Sequence, residues 1–279
     1  MKKSIIFLVL ALLVGGQICS AQEKATLGNN AKAGKYADIR GIKMYYEIYG
    51  KGEPLLLIHG NGGSIADFKN QVSFFSKKYK MILADSRSQG KSLDKNDSLS
   101  YEMMADDFEA LLEYLQLDSC NVIGWSDGGI NGLLLALRHP QRVKKLAITG
   151  TNLWPNTTSL DKWMYHSIIK WHDSLVKQPI TPKLKNEKKL VWLMASQPHI
   201  NPDSLKNVKC PALVIGGDHD VILPRHTLLI AESIPNSHLW IVPNSGHATL
   251  MTYKNEFNKI IMDFFNKPYR KIEGERRVN

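Results

Sequence analysis

The run Asn121-Val122-Ile123-Gly124-Trp125-Ser126-Asp127-Gly128-Gly129 sets a serine between glycines, after a β-branched stretch and before an apolar helical one. A strand that turns at once into a helix holds such a serine on a tight bend, hydroxyl exposed, helix N-terminus beneath it. The chemistry this permits is attack on a carbonyl carbon. A serine hydroxyl is a poor nucleophile near neutral pH, so it needs a base, and the base needs a carboxylate to fix its tautomer.

His247, in Asn244-Ser245-Gly246-His247-Ala248, is the expected base, because a glycine loop between a strand and a helix can hold an imidazole above strand ends. His219 and His59 lie in neighbouring loops without an equally free position. The carboxylate is sought in Gly216-Gly217-Asp218-His219-Asp220. Asp220 lies farther into that loop and is favoured, while Asp218 suits a bracing role on backbone amides. The developing oxyanion needs backbone N–H donors. Asp127, following the nucleophile at a helix start, supplies one amide, and Asn61 in His59-Gly60-Asn61-Gly62-Gly63 supplies the other, with Gly62 as the alternative. The Asp127 side chain either bonds the elbow backbone, the reading preferred, or attracts a substrate ammonium group. Trp125, Trp154, Trp163 and Trp192 are candidate walls of an aromatic pocket, against the simpler alternative of core packing.

These residues need a scaffold that brings distant loops to one edge. Lys43 to Tyr49 alternates like a half-buried strand, and Pro54 to Ile58 is uniformly apolar, as a parallel strand covered on both faces must be. Further strands are expected at 80–84, 120–125, 143–149, 212–215 and 238–242. Between them fall helical patterns, including 100–117 with Met104, Phe108, Leu111, Leu112 and Leu115 on one stripe. This rhythm predicts an α/β fold: a mostly parallel sheet of about eight strands flanked by helices. The rhythm breaks at 151–205, a segment with no clear strand but with Trp154, Trp163, Trp171 and Trp192, four of the six tryptophans. It reads as a small helical cap inserted after the sixth strand, between core segments 22–150 and 206–279.

Residues 1–21 are set apart. Met1-Lys2-Lys3, the apolar run Ile5 to Val14, and Cys19-Ser20-Ala21 before Gln22 have the layout of a secretory signal peptide. The expectation is export to a bacterial periplasm or the exterior. An uncleaved N-terminal anchor is the alternative, although the run falls short of the roughly 20 apolar residues of a membrane span. Without Lys2 and Lys3 the formal charge falls from +10 to +8. The charges are scattered, which argues against a nucleic-acid partner. Two local concentrations stand out, Lys183-Lys185-Lys188-Lys189 and a basic tail, either solvated surface or an attraction to an anionic envelope surface or acidic polymer. Cys120 and Cys210 do not make a disulfide scaffold, and no histidine or cysteine set has zinc-ligand spacing. No mature membrane span is expected, and the oligomeric state is open.

With these pieces in hand the chain resembles the α/β-hydrolase superfamily, in its single-domain, lidded branch, over roughly residues 42–265. The matching pieces are Leu55-Leu56-Leu57-Ile58-His59-Gly60-Asn61-Gly62-Gly63, Asp85-Ser86-Arg87-Ser88-Gln89-Gly90-Lys91-Ser92, the elbow, Gly217-Asp218-His219-Asp220 and Gly246-His247. The resemblance implies Ser126 as nucleophile, His247 as base, Asp220 as acid, and the Asn61 and Asp127 amides as oxyanion donors, with no cofactor. One departure is Ser88, where relatives usually have glycine. The elbow wording is similar to the branch containing valacyclovir hydrolase and related small-ester hydrolases, and it overlaps lactonases and carbon–carbon bond hydrolases. The expectation is therefore a serine hydrolase of a small or medium carboxylic ester. Lactone, thioester, amide or carbon–carbon bonds are the alternatives, as is a sensor that kept the triad.

Overall fold

The computed structural model describes residues 26–277; the expected signal segment lies outside them. Eight strands form one sheet: β1 (Gly34–Ile39), β2 (Ile42–Tyr49), β3 (Glu53–Ile58), β4 (Tyr79–Ala84), β5 (Cys120–Trp125), β6 (Val143–Thr149), β7 (Ala212–Gly217) and β8 (Ser237–Val242). Their order is β1-β2-β4-β3-β5-β6-β7-β8. β1 and β2 are antiparallel to their neighbours, and all pairs from β4 to β8 are parallel.

The helices are α1 (Lys69–Phe75), α2 (Tyr101–Tyr114), α3 (Asp127–Arg138), α4 (Lys162–Val176), α5 (Pro182–Ser196), α6 (Pro224–Ser233), α7 (Thr249–Thr252) and α8 (Lys254–Asn266). The apolar run of β3 shows why both sheet faces are covered. Leu56 and Ile58 join a core with α2, α3 and α6, while Leu55 and Leu57 join a second core with α1 and α8. Ser100 caps α2 by accepting from the Met103 amide, fixing where that helix begins.

The expected strands are present, and β1 is an addition to those named from the sequence. It forms a hairpin with β2 across Arg40 and Gly41, both left-handed at φ 42° and 85°. Such a turn usually announces itself as Asn-Gly or Asp-Gly, and arginine in the first position hides it. Between β6 and β7 the chain leaves the sheet, and α4 and α5 form a helical cap over the strand ends. The neighbours of β3 are β4 on one side and β5 on the other, so the sequence order reverses there, the position at which open α/β sheets bind ligands. No helix among the described residues is long and apolar enough to cross a membrane.

Candidate active site

β5 ends at Trp125 and α3 begins at Asp127, leaving Ser126 as the whole connection. Its backbone has φ 56° and ψ −121°, a conformation that costs a non-glycine residue on the order of 1–3 kcal/mol. The flanking glycines make the bend sterically possible. A Cβ on Gly124 would stand 2.3 Å from the Gly128 carbonyl oxygen, and one on Gly128 would stand 1.9 Å from that of Ile58. The Ser126 amide donates to Thr149 O at 2.9 Å, tying the bend to the end of β6.

Three loops at the carboxyl ends of β5, β7 and β8 meet here. His247 Nε2 lies 3.0 Å from Ser126 Oγ, and His247 Nδ1 lies 2.7 Å from Asp220 Oδ1. The Asp220 carboxylate is fully buried and also accepts from the Ile222 amide at 3.0 Å. Asp218 instead accepts from the Ser245 amide at 3.0 Å, bracing the loop that carries the imidazole. Trp125 donates its indole N–H to His247 O at 3.0 Å, fixing that loop from the elbow side. His219 is exposed and turned to Asp218. His59 is buried: its Nδ1 donates to Gly60 O and its Nε2 accepts from the Ser86 amide. Burial lowers the pKa of His59 and keeps that imidazole neutral.

Among the described residues neither the Asn61 nor the Asp127 amide donates to a protein acceptor, whereas the Gly62 amide donates to Gln89 Oε1 at 2.7 Å. The alternative donor is thus already engaged. Contrary to the reading preferred from sequence, the Asp127 carboxyl does not bond the elbow backbone. It accepts from Asn61 Nδ2 at 2.8 Å, and Tyr101 lines the same cavity beside it. An aspartate at the first position of α3 points back across the cavity toward the β3 loop rather than down its own helix. Burial pushes its pKa up to about 6, against the lowering effect of Asn61 and Tyr101. Tyr101 and Gln89 were not anticipated; Tyr101 had no signal beyond its place just after the Ser100 cap.

A cavity of about 220 Å³ opens over Ser126, walled by Trp125, Asn61, Tyr101 and Asp127 from the core and by Met164, Ile168 and Met194 from the cap. Trp125 is therefore a wall, but Trp154, Trp163 and Trp192 are not, and this corrects the aromatic-pocket expectation. Trp154 packs edge-on against His226 and donates to Thr158 Oγ1. Trp163 and Trp192 are on the exposed faces of α4 and α5. The cap lines the cavity with methionine and aliphatic side chains, which adapt to irregular apolar shapes. A larger groove of about 700 Å³ runs between β8 and α8 but has no nucleophile with a base beside it.

The cap is tied to the loops after β3 and β4. Asn61 Nδ2 also lies 3.4 Å from Leu190 O of α5, and Asn186 of α5 donates to Ser88 O. Ser88 has φ 67°, the left-handed region in which the usual glycine is at ease. Lys189 of α5 is buried and pairs with Asp94 at 3.2 Å; Arg87, also buried, pairs with Asp94 at 3.4 Å and Asp107 at 2.6 Å.

A sheet of this order with a nucleophile bend after β5 and partner loops after β7 and β8 defines a class, and direct comparison agrees. The profile described as alpha/beta hydrolase fold matches residues 53–186. The chain has the α/β-hydrolase fold and is similar to the serine-hydrolase branch of that superfamily. It is 29% identical to the human protein named serine hydrolase BPHL, over 92% of this chain and 94% of that one. It is 27% identical to a putative carbamate hydrolase RutD of Serratia proteamaculans, over 80% of this chain and 96% of that one. The enol-lactonase of Burkholderia xenovorans superimposes with a TM-score of 0.69 at 21% identity, covering 84% of this chain and 100% of the other, a likeness of fold.

Proposed function

We propose that the protein is a serine hydrolase that opens ester-type carbonyl bonds through an acyl-enzyme. The observation that carries this reading is the unbroken relay Ser126 Oγ–His247–Asp220 at 3.0 and 2.7 Å, beneath a small apolar cavity. His247 Nε2 takes the hydroxyl proton as Ser126 Oγ attacks the carbonyl carbon. Asp220 holds the Nδ1 proton and stabilises the imidazolium. The amides of Asn61 and Asp127, one at a loop and one at a helix N-terminus, receive the oxyanion. His247 then protonates the leaving group, the acyl bond to Ser126 Oγ remains, and a water activated by the same imidazole releases the acid.

Substrate breadth follows from the cavity and the relatives. At about 220 Å³ the cavity suits a small or medium acyl group. Relatives named for carbamates and lactones support a reading wider than open-chain esters, in which cyclic esters and carbamates share the same tetrahedral step. No cofactor enters this mechanism.

The decisive experiment is exposure of the folded protein to a fluorophosphonate, followed by intact-mass measurement and peptide mapping. A single adduct on Ser126, absent in Ser126→Ala, supports the reading; an unlabelled protein that still turns over p-nitrophenyl acetate refutes it. A panel of short esters, lactones and carbamates then ranks the scissile bond. One product per protein, without turnover, would mark a sensor instead. The proposal includes export, supported by the composition of residues 1–21. A mature N-terminus at Gln22 in the cell envelope or medium is the expected finding; a chain retaining Met1 in the membrane fraction would favour the anchor.

A further inference from the structure

The cap hairpin is apolar on two sides. Its inner face gives Met164, Ile168 and Met194 to the cavity. Yet Trp163, Trp171, Val176, Ile180 and Trp192 stand exposed, the first and fourth at 69% and 77%. These are five of the eleven large apolar side chains exposed among the described residues, gathered in a 35-residue hairpin, 162–196. Leu93, at 77%, adds a sixth from the loop whose neighbour Asp94 pairs with Lys189 of the hairpin. A helix with apolar side chains on both faces ordinarily has a partner on both. The outer side of this one faces solvent.

Charge indicates the kind of partner. Residues 162–196 contain seven lysines against Asp173 and Glu187, a formal charge of +5. Lys162, Lys170 and Lys177 are exposed beside the apolar residues, while Lys185 is paired with Asp97. Ile180 and Trp192 flank an outer groove of about 670 Å³ with Lys188 and the ion pair Lys185–Asp97 on its wall. Lys189 and Lys185 are paired with Asp94 and Asp97 outside the hairpin, which leaves +3, so a second copy docking through a two-fold axis would still set like charge against like, which disfavours an isologous dimer. Tryptophan amid lysine, by contrast, is the composition of surfaces that rest in a lipid headgroup layer: indoles sit at the water–hydrocarbon boundary and lysines meet anionic phosphates.

We propose that the outer face of the cap docks on an anionic lipid bilayer. Docking is a property of the cap and does not depend on the serine chemistry. Each surface lysine strengthens partitioning about fivefold, from about 1 kcal/mol per cation near an anionic leaflet.

The test is co-sedimentation of the full chain with vesicles of phosphatidylcholine containing phosphatidylglycerol, and with phosphatidylcholine alone. The protein should bind the anionic vesicles at least tenfold better, lose binding in high salt, and bind equally as Ser126→Ala. Lys162→Ala with Lys170→Ala should weaken partitioning about 25-fold, and Val176→Ser with Ile180→Ser at least tenfold. Hydrolysis of a short soluble ester should stay within twofold in both pairs, showing an intact fold. Any contribution of the N-terminal apolar run is common to all these proteins. In the unsubstituted chain, brominated lipids should quench tryptophan fluorescence on binding. The proposal is overturned by equal partitioning of the cap variants and the parent, or by binding without quenching. Capture by an acidic polymer but not by vesicles, or a dimer that buries the cap tryptophans, would also overturn it.

Discussion

Replacing Asp220 by asparagine tests the relay at its most buried point. Asp220 Oδ1 serves both His247 Nδ1, at 2.7 Å, and the Ile222 amide, at 3.0 Å, so it must act as an acceptor twice. Its Oδ2 is buried without a partner among the described residues. An asparagine whose carbonyl oxygen keeps the Oδ1 place puts its NH2 where Oδ2 was, a buried donor with no acceptor, costing about 1–3 kcal/mol. Flipped, it turns the NH2 toward both the Ile222 N–H and His247. The imidazole must then accept at Nδ1 and hold its proton at Nε2, where it cannot take the Ser126 proton. Neither orientation supports an imidazolium, so kcat on p-nitrophenyl acetate should fall about 10⁴-fold, close to 5.5 kcal/mol in barrier. Asp218→Asn retains a carbonyl oxygen for the Ser245 amide and should stay within about tenfold. Stopped and steady-state assays on folded protein, checked by circular dichroism, decide the matter. An Asp220→Asn enzyme within tenfold of the parent, with Asp218→Asn inactive, would refute the assignment of the acid.

Asp127 should leave a mark on stability. Burial raises its pKa to about 6 in the folded chain, above about 3.9 unfolded, so the folded state binds the proton more tightly. Stability is therefore fully present below pH 4 and falls as pH rises to about 6, by up to about 3 kcal/mol for a rise of about two pH units. Asp127→Asn should lack that slope in urea unfolding measured from pH 4 to pH 7; an identical slope would sink the claim. Gly128→Ala should cost about 3 kcal/mol despite the better helix propensity of alanine, because its Cβ would meet Ile58 O at 1.9 Å, and an unchanged Tm would show that β3 yields freely. Lys189→Met should cost about 3 kcal/mol by leaving Asp94 to Arg87 alone, with faster proteolysis of the cap as a second readout.

The elements that bring Ser126, His247 and Asp220 together were legible in the sequence because they rest on local devices. Glycines either side of Ser126 report the steric demand of the bend, and short loops after apolar runs report the sheet edge. Loop depth favoured Asp220 over Asp218 without deciding between them; in the structure the farther residue meets His247 and the nearer one a backbone amide. What failed was reading environment from side-chain type. A tryptophan reads as interior, yet burial on a helix is set by which side of the hairpin its angle reaches, and nothing local to Trp163 or Trp192 records where the core lies. The contacts that span the fold were equally silent. Tyr101 comes beside Asp127 from α2, and Gln89 reaches Gly62 from the loop after β4, each through an encounter that only the assembled sheet creates.

Those silent contacts also join the cap to the loops after β3 and β4. Asn61 holds the Asp127 carboxyl with its side chain and approaches Leu190 O of the cap, and among the described residues its own amide donates to no protein acceptor. A shift of α5 would therefore act on the loop that carries Asn61, and through Asn186 and Ser88 on the turn that carries Gln89. The outer face of the same helix carries Trp192 and Lys185. Whatever rests against the cap from outside thus bears on the Asn61 loop within, by a chain of hydrogen bonds only one side chain thick.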